Sequence, residues 1–349
     1  MNPSTSLGTS PPTLLGTSDS APLALSIVTS LYQSEEFLTE FHARCTAAAT
    51  RLAGSSYEII LVNDGSPDQS LQKAIDLHTR DSHVRVLDLS RNFGHHKALM
   101  TGLAHARGEL VFLIDCDLEE DPAWLLTFHD AMRADNVDVV YGVQAERKGD
   151  WVERSAGRLF FSVFNWMLTH PIPVNVVTAR LMTSRYVKAL VSHQERELCL
   201  AGLWVITGFA QRPIAVQKGS RPTSSYTTRK RMSVFANAIT SFSNRPLIYI
   251  FQIGMTVMAL SVVAAVVLLY MRLNGQIGVP GWASIMVSIW FLGGLIIFCV
   301  GVIGMYLAKI FIEIKQRPYT IIRAEYASED EAAGLEEEAG PKGPALQRP

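Results

Sequence analysis

The chain has 349 residues, a net charge of −1 at pH 7 and a charged fraction of 18%. So even a balance excludes a general nucleic-acid binder, which carries a strongly basic face. The low charge and positive mean hydropathy point instead to a globular part joined to a membrane part.

Residues 1–22 are rich in Ser, Thr, Pro and Gly and lack a basic stretch followed by an apolar one, so they are expected to form a disordered leader. From Leu23 to Gly142, short β-type runs alternate with helical patterns. The expected strands are Ala24–Thr29, Tyr57–Asn63, Val84–Ser90, Leu110–Asp115 and Val137–Tyr141. The expected helices are Glu35–Leu52, Ser70–Arg80, His95–Ala106 and Pro122–Ala134. Repeated strand–helix–strand units imply an α/β domain, residues 23–228, with a mainly parallel sheet covered on both faces. Ligands of such sheets bind beyond the carboxyl ends of the strands, here after Thr29, Asn63, Ser90 and Ile114.

Trp151–Thr169 mixes aromatic and basic residues. It suits an amphipathic helix lying at a lipid interface or a core helix under the sheet. A second basic amphipathic stretch, residues 229–246, leads into two uncharged segments, about 247–272 and 282–308. At 1.5 Å per residue the first would span roughly 37 Å, enough to cross a hydrocarbon core of about 30 Å. A transmembrane hairpin is therefore expected. Arg229, Lys230, Arg231 and Arg245 precede it and Lys309, Lys315, Arg317 and Arg323 follow it, which puts both termini and the α/β domain on the cytoplasmic side of the inner membrane. Residues 324–349 are expected to be an acidic disordered tail. Cys45, Cys116, Cys199 and Cys299 have no metal-ligand spacing and read as reduced thiols.

The run Leu110-Val-Phe-Leu-Ile-Asp-Cys-Asp-Leu-Glu-Glu-Asp-Pro122 ends a buried strand in Asp115, with Asp117 two positions on. Both carboxylates can point to one side. Crowded carboxylates call for a balancing cation, and hard oxygen ligands suit Mg2+ or Mn2+ held together with substrate phosphates. A second run, Ile60-Leu-Val-Asn-Asp-Gly-Ser-Pro-Asp68, leaves another strand end. It places Asp64 to meet a base or ribose, or to form an N-cap and turn without ligand, while Asp68 reads as a helix cap. His95 and His96 point different ways and suit packing or capping, whereas Lys97 can approach phosphates.

Asn63-Asp-Gly-Ser66 with Asp115-Cys-Asp117 resembles the family-2 glycosyltransferases of the GT-A (Rossmann-like) fold. With the C-terminal hairpin, and with Leu89-Ser-Arg-Asn-Phe-Gly94, Val140-Tyr-Gly142, Arg180-Leu-Met182 and Ser241-Phe-Ser243 before Arg245-Pro-Leu247, it is similar to the polyprenyl-phosphate glycosyltransferases, relatives of dolichol-phosphate mannose synthase and the bactoprenol glucosyltransferases. The resemblance spans about residues 23–320. It implies a nucleotide-sugar donor, with UDP as carrier, a divalent cation, a polyprenyl (undecaprenyl) phosphate acceptor and inversion at the anomeric carbon.

By position, the resemblance gives the metal to Asp115, Asp117 and Glu119, the catalytic role to Asp115 and Asp117, and the nucleotide sugar to Asp64, Asp115 and Lys97. Arg147, Arg154, Arg158 and Arg180 become contacts for the acceptor phosphate, by virtue of the guanidinium fork. Arg154 and Arg158 suit a headgroup-facing stripe equally well, and Arg180 an ion pair.

Two departures stand out. Thr178 occupies the place of the usual Asp in Gly-Asp-Phe-Arg-Leu, and Ser225 that of the Lys in Ser-Lys-Tyr. The first removes a carboxylate base. A phosphate monoester with a second pKa near 6 is already ionised at neutral pH and needs none. A processive polysaccharide synthase would need a Gln-x-x-Arg-Trp motif and more spans, and neither is visible. A non-catalytic membrane scaffold has only Thr178 in its favour. Homo-oligomerisation is left open.

Overall fold

A computed structural model of the chain describes residues 23–144, 175–196, 198–219, 245–274 and 281–327. In chain order its elements are β1 (Leu25–Leu31), α1 (Leu38–Ala53), β2 (Tyr57–Asn63), α2 (Ser70–Arg80), β3 (Val84–Leu89), α3 (His95–Ala104), β4 (Leu110–Leu113), α4 (Trp124–Asp135), β5 (Val139–Gln144), β6 (Val176–Thr183), α5 (Ser184–Val191), α6 (Leu200–Ile206), β7 (Gln211–Val216), α7 (Arg245–Leu273), α8 (Trp282–Ile314) and β8 (Ile322–Tyr326).

The eight strands form one sheet in the order β7-β5-β6-β4-β1-β2-β3-β8. The parallel centre follows from continuous apolar runs: every residue of β2 and β3 is buried, as a strand covered on both faces requires. β5 does not lie beside β4. The antiparallel strand β6 separates them, pairing with β4 on one side and β5 on the other. β8 is also antiparallel, along β3. The sheet is thus mixed, less dominated by parallel pairing than expected, and β6, β7 and β8 are additions to the five expected strands.

Helices α1, α2 and α4 cover one face, packing Phe41, Cys45, Ala74 and Phe128 on Ile27, Ile59, Leu61 and Phe112. Helices α3, α5 and α6 cover the other, with Leu99, Tyr186 and Leu203 against Val28, Ile60, Val62 and Leu113. At the amino ends of the parallel strands, buried Glu58 accepts from Ser26 Oγ (2.6 Å), Arg85 Nη1 (2.9 Å) and Arg107 Nη2 (2.9 Å). Arg85 Nη2 reaches on to Glu325 in β8 (2.7 Å).

Two long helices pack against each other after the α/β part. Within α8, Ser288–Ile314 is long and apolar enough to cross a membrane, and it exposes Trp290, Phe291, Ile297 and Phe298. α7 begins at Arg245, so it takes in the end of the expected juxtamembrane segment, and it exposes Phe251, Leu260 and Tyr270. After α8 the chain returns to the sheet. Tyr319 packs on the α3 side of the core, Thr320 Oγ1 meets Thr101 Oγ1 at 2.8 Å, and the Ser90 amide donates to the Ile321 carbonyl at 2.9 Å. Residues 322–326 are therefore an ordered edge strand, which moves the start of the expected tail beyond 326. The leader, the interfacial stretch 151–169 and most of 229–246 lie outside the described residues.

Candidate active site

The site is built where β1, β2 and β4 end. β4 stops at Leu113, and the Ile114 amide still donates to Val28 of β1 at 3.1 Å. That leaves Asp115 at the sheet's edge, Cys116 turned into the core and Asp117 back at the surface side. Leu118, a non-glycine residue with φ of 59°, turns the chain so that Glu120 points inward and is fully buried.

Asp115 is held on one oxygen and approached on the other. Thr178 Oγ1, on β6, donates to its Oδ2 at 2.9 Å. His95 Nε2, at the start of α3, lies 3.4 Å from its Oδ1. That Oδ1 is buried and has no hydrogen-bond partner among the described residues. Asp117 Oδ1 accepts from the Glu119 amide at 3.0 Å. Glu120 accepts from the Thr178 amide (2.9 Å) and more distantly from the Asp115 amide (3.5 Å). Burial and the Asp115 carboxylate push the Glu120 pKa up to about 7, against the pull of Lys218. Burial, with Asp117 and Asp115 beside it, pushes the Cys116 thiol up to about 12, so it is no nucleophile.

Lys218, just past β7, is the residue that sequence reasoning missed. Its Nζ lies 3.2 Å from Glu119 Oε2 and 3.7 Å from Glu120 Oε1, and the Gly219 amide donates to the Glu119 carbonyl at 2.8 Å. Burial acts to lower the lysine's pKa, but Glu120, Asp115, Glu119 and Asp117 together raise it. A lone Lys in a polar stretch carries no local signal of this pairing.

Asp64 sits on the neighbouring strand end and spends both oxygens on backbone. Oδ1 accepts from Phe93 N at 2.7 Å and Oδ2 from Gly94 N at 3.0 Å. Burial raises its pKa and those two bonds oppose the rise. Gly65 next to it has φ of 60°, and a Cβ there would stand 2.5 Å from backbone atoms of Arg91 and Asn92. Only glycine lets the two loops meet. Asp68 accepts from Ser66 Oγ and the Ser70 amide, which closes the turn just before α2, whose N-cap is Gln69 rather than Asp68. Lys97 stands half-buried in the first turn of α3.

Arg180 lies inside the fold, and among the described residues it has no carboxylate within ion-pair distance. It is 1% exposed, its guanidinium carbon lies 2.9 Å from the centre of the Trp204 ring, and it donates to the carbonyls of Thr178 and Val177. Burial brings its pKa down to about 9. Arg147, Arg154 and Arg158 lie outside the described residues.

Among the described residues no group of three or more His, Cys, Asp or Glu side chains could hold a metal ion, and Glu119 is committed to Lys218 rather than to the acid pair. The pair itself still fits a hard divalent cation. Asp115 offers a buried oxygen without a hydrogen bond, and Mg2+ is ordinarily held by one or two carboxylates completed by waters and substrate phosphates.

The profile of "Glycosyl transferase family 2" matches residues 26–190. A Mycobacterium tuberculosis (strain CDC 1551 / Oshkosh) protein named among the glycosyltransferases is 50% identical over 307 residues, 88% of this chain and 90% of that one. The bactoprenol glucosyl transferase of Shigella phage SfV is 30% identical over 306 residues, 87% of this chain and 99% of that one. The crystal structure of glucosyl-3-phosphoglycerate synthase from Mycobacterium tuberculosis with Mn2+ and uridine diphosphate superimposes loosely, with a TM-score of 0.43 at 17% identity over 62% of this chain and 77% of that one.

Proposed function

We propose, for a chain that belongs to glycosyl transferase family 2 and is a glycosyltransferase, that it moves a sugar from a nucleotide-sugar donor of the UDP class to a polyprenyl phosphate at the cytoplasmic face of a membrane. One observation carries this reading. The acid pair ends β4 at the same end of the sheet to which the chain returns from the apolar helix α8, through the Ser90–Ile321 hydrogen bond. The similarity to bactoprenol glucosyl transferases over nearly their whole length supports the acceptor class.

In this reading Asp115 and Asp117 hold a divalent cation, Mg2+ or Mn2+, and the donor diphosphate. The bound ion supplies charge neutralisation for the departing nucleoside diphosphate. Asp64 serves the nucleoside by fixing the Ser90–Gly94 loop through its two amide bonds. Lys97 and the arginines at 147, 154 and 158 meet phosphate. A phosphate oxygen of the acceptor, already ionised at neutral pH, attacks the anomeric carbon from the side opposite the leaving group. The sugar–diphosphate bond breaks and the configuration inverts. The absence of an aspartate at position 178 is tolerated because no proton has to be removed. α7 is the second span, and basic Arg245, Lys309, Lys315 and Arg317 hold the flanks in the cytoplasm.

The test is a screen of UDP-sugars with membranes bearing the full chain and undecaprenyl phosphate, with the lipid product read by mass. The expected product carries one sugar, requires Mg2+ or Mn2+, and falls at least about 100-fold with Asp117→Asn. A lengthening polysaccharide, or full turnover by Asp117→Asn, would overturn the reading.

A further inference from the structure

We propose that His95 is a positioning residue for Asp115, with Ser30 holding its ring, so that one carboxylate oxygen is offered to the cation in a fixed orientation. This rests on the reading above, in which Asp115 serves the cation. The backbone under His95 is set before the side chain acts. Gly94, with φ of 103°, starts α3, and Asp64 pins the Phe93 and Gly94 amides.

From that fixed point the imidazole bridges two strand ends. Nδ1 lies 2.8 Å from Ser30 Oγ on β1, and Nε2 lies 3.4 Å from Asp115 Oδ1 beyond β4. A hydroxyl donating to Nδ1 leaves the ring proton on Nε2, facing the carboxylate. The opposite oxygen, Oδ2, is taken by Thr178 Oγ1. Oδ1 is buried without a hydrogen bond among the described residues, and the half-exposed imidazole stands beside it. A carboxylate oxygen has two lone pairs, so Nε2, on closing from 3.4 Å to hydrogen-bond distance, would occupy one and leave the other for a ligand. Partners of this kind, which orient a metal-binding side chain through its free atoms, typically change metal affinity 10- to 100-fold when removed.

The experiment measures Mn2+ binding by electron paramagnetic resonance to the detergent-solubilised full chain, with and without UDP. Glutamine places its amide nitrogen about where Nε2 lies, and asparagine about where Nδ1 lies. His95→Ala is expected to weaken UDP-linked Mn2+ binding about 10-fold or more. His95→Gln should restore most of it and His95→Asn should not. Equal binding by His95→Ala and the native chain overturns the role of His95 alone. So does rescue by Asn with no rescue by Gln. If the native chain shows no UDP-linked Mn2+ binding, the reading of the acid pair falls, and this role with it. Should His95→Ala fail to fold, the contrast between Gln and Asn decides.

Discussion

The hydroxyl of Thr178 donates a 2.9 Å hydrogen bond to Asp115 Oδ2, across the junction of β6 and β4. The same residue's amide donates to Glu120. A residue that looks like a lost carboxylate therefore braces the carboxylate that remains. Thr178→Val keeps the shape and the amide bond but leaves Oδ2 without its donor. The expected cost in stability is about 1 kcal/mol. A several-fold rise in the concentration of Mn2+ needed for half-maximal transfer should accompany it, measured by metal titration of the reaction.

Lys218 balances Glu119 and Glu120 in the protein without a cation. Lys218→Met removes that balance while keeping most of the side chain's volume. The variant is expected to melt at a lower temperature than the native chain when chelator is present. The gap should narrow on adding Mg2+, because a bound cation then offsets part of the acidic charge. Thermal melts across a magnesium series test this, and a gap independent of Mg2+ would be the contrary result.

Glu58 gives a prediction in pH. Burial acts to raise its pKa, but the Ser26 hydrogen bond and the Arg107 and Arg85 guanidinium groups outweigh it, so the net shift is downward from 4.5. A carboxylate whose pKa is lower in the folded state stabilises the fold above its unfolded value and loses that contribution as pH falls through the folded value. Glu58→Gln should thus cost about 2 kcal/mol at pH 7, since it takes from buried Arg85 one of two carboxylate partners and leaves Glu325 as the other. The difference from the native chain should shrink below pH 4.5. Denaturant unfolding at several pH values reads both.

Arg323 in β8 reaches Asp88 (Nε to Oδ2 2.7 Å), Asp88 accepts from Asn63 Nδ2 (2.8 Å), and Asn63 Oδ1 accepts from the Ser66 amide (3.3 Å). The C-terminal strand is thereby linked to the Asn63–Ser66 turn. Arg323→Ala is expected to lower stability by about 1–2 kcal/mol and to raise the KM for the donor more than it changes kcat. An unchanged KM in steady-state kinetics would show that the chain of bonds ends at Asp88.

What could be seen in the sequence follows from how each element is stabilised. β2 runs over Tyr57–Asn63 as expected, because an unbroken apolar strand between turn residues has one reading. Asp115 and Asp117 were visible because the acids directly follow such a strand. β6 was not, since Thr178 and Arg180 interrupt its apolar pattern for reasons that exist only in three dimensions, one bracing Asp115 and the other lying under Trp204. β7 carries Pro213 and lies at the sheet's edge, where proline is tolerated. β8 is short and charged, with Arg323 and Glu325 finding buried partners in Asp88 and Arg85. In a linear reading such residues look like solvated tail. Lys218 pairs across about a hundred residues with Glu119 and Glu120, a distance that no local pattern spans.

The return of the chain from α8 into β8 has a mechanical consequence. With α8 as the membrane anchor, residues 315–321 are all that separate its last turn from the sheet, and at most about 3.5 Å per residue limits that spacer to roughly 25 Å. The spacer is also stitched down on the way, at Thr320 and Ile321. In the proposed function, the height of the acid pair above the bilayer is thus a dimension of the molecule, like the reach of a crane fixed to its base. On that proposal, an acceptor whose phosphate rides at headgroup level would be served without searching, and one held much farther from the lipid surface would be out of range.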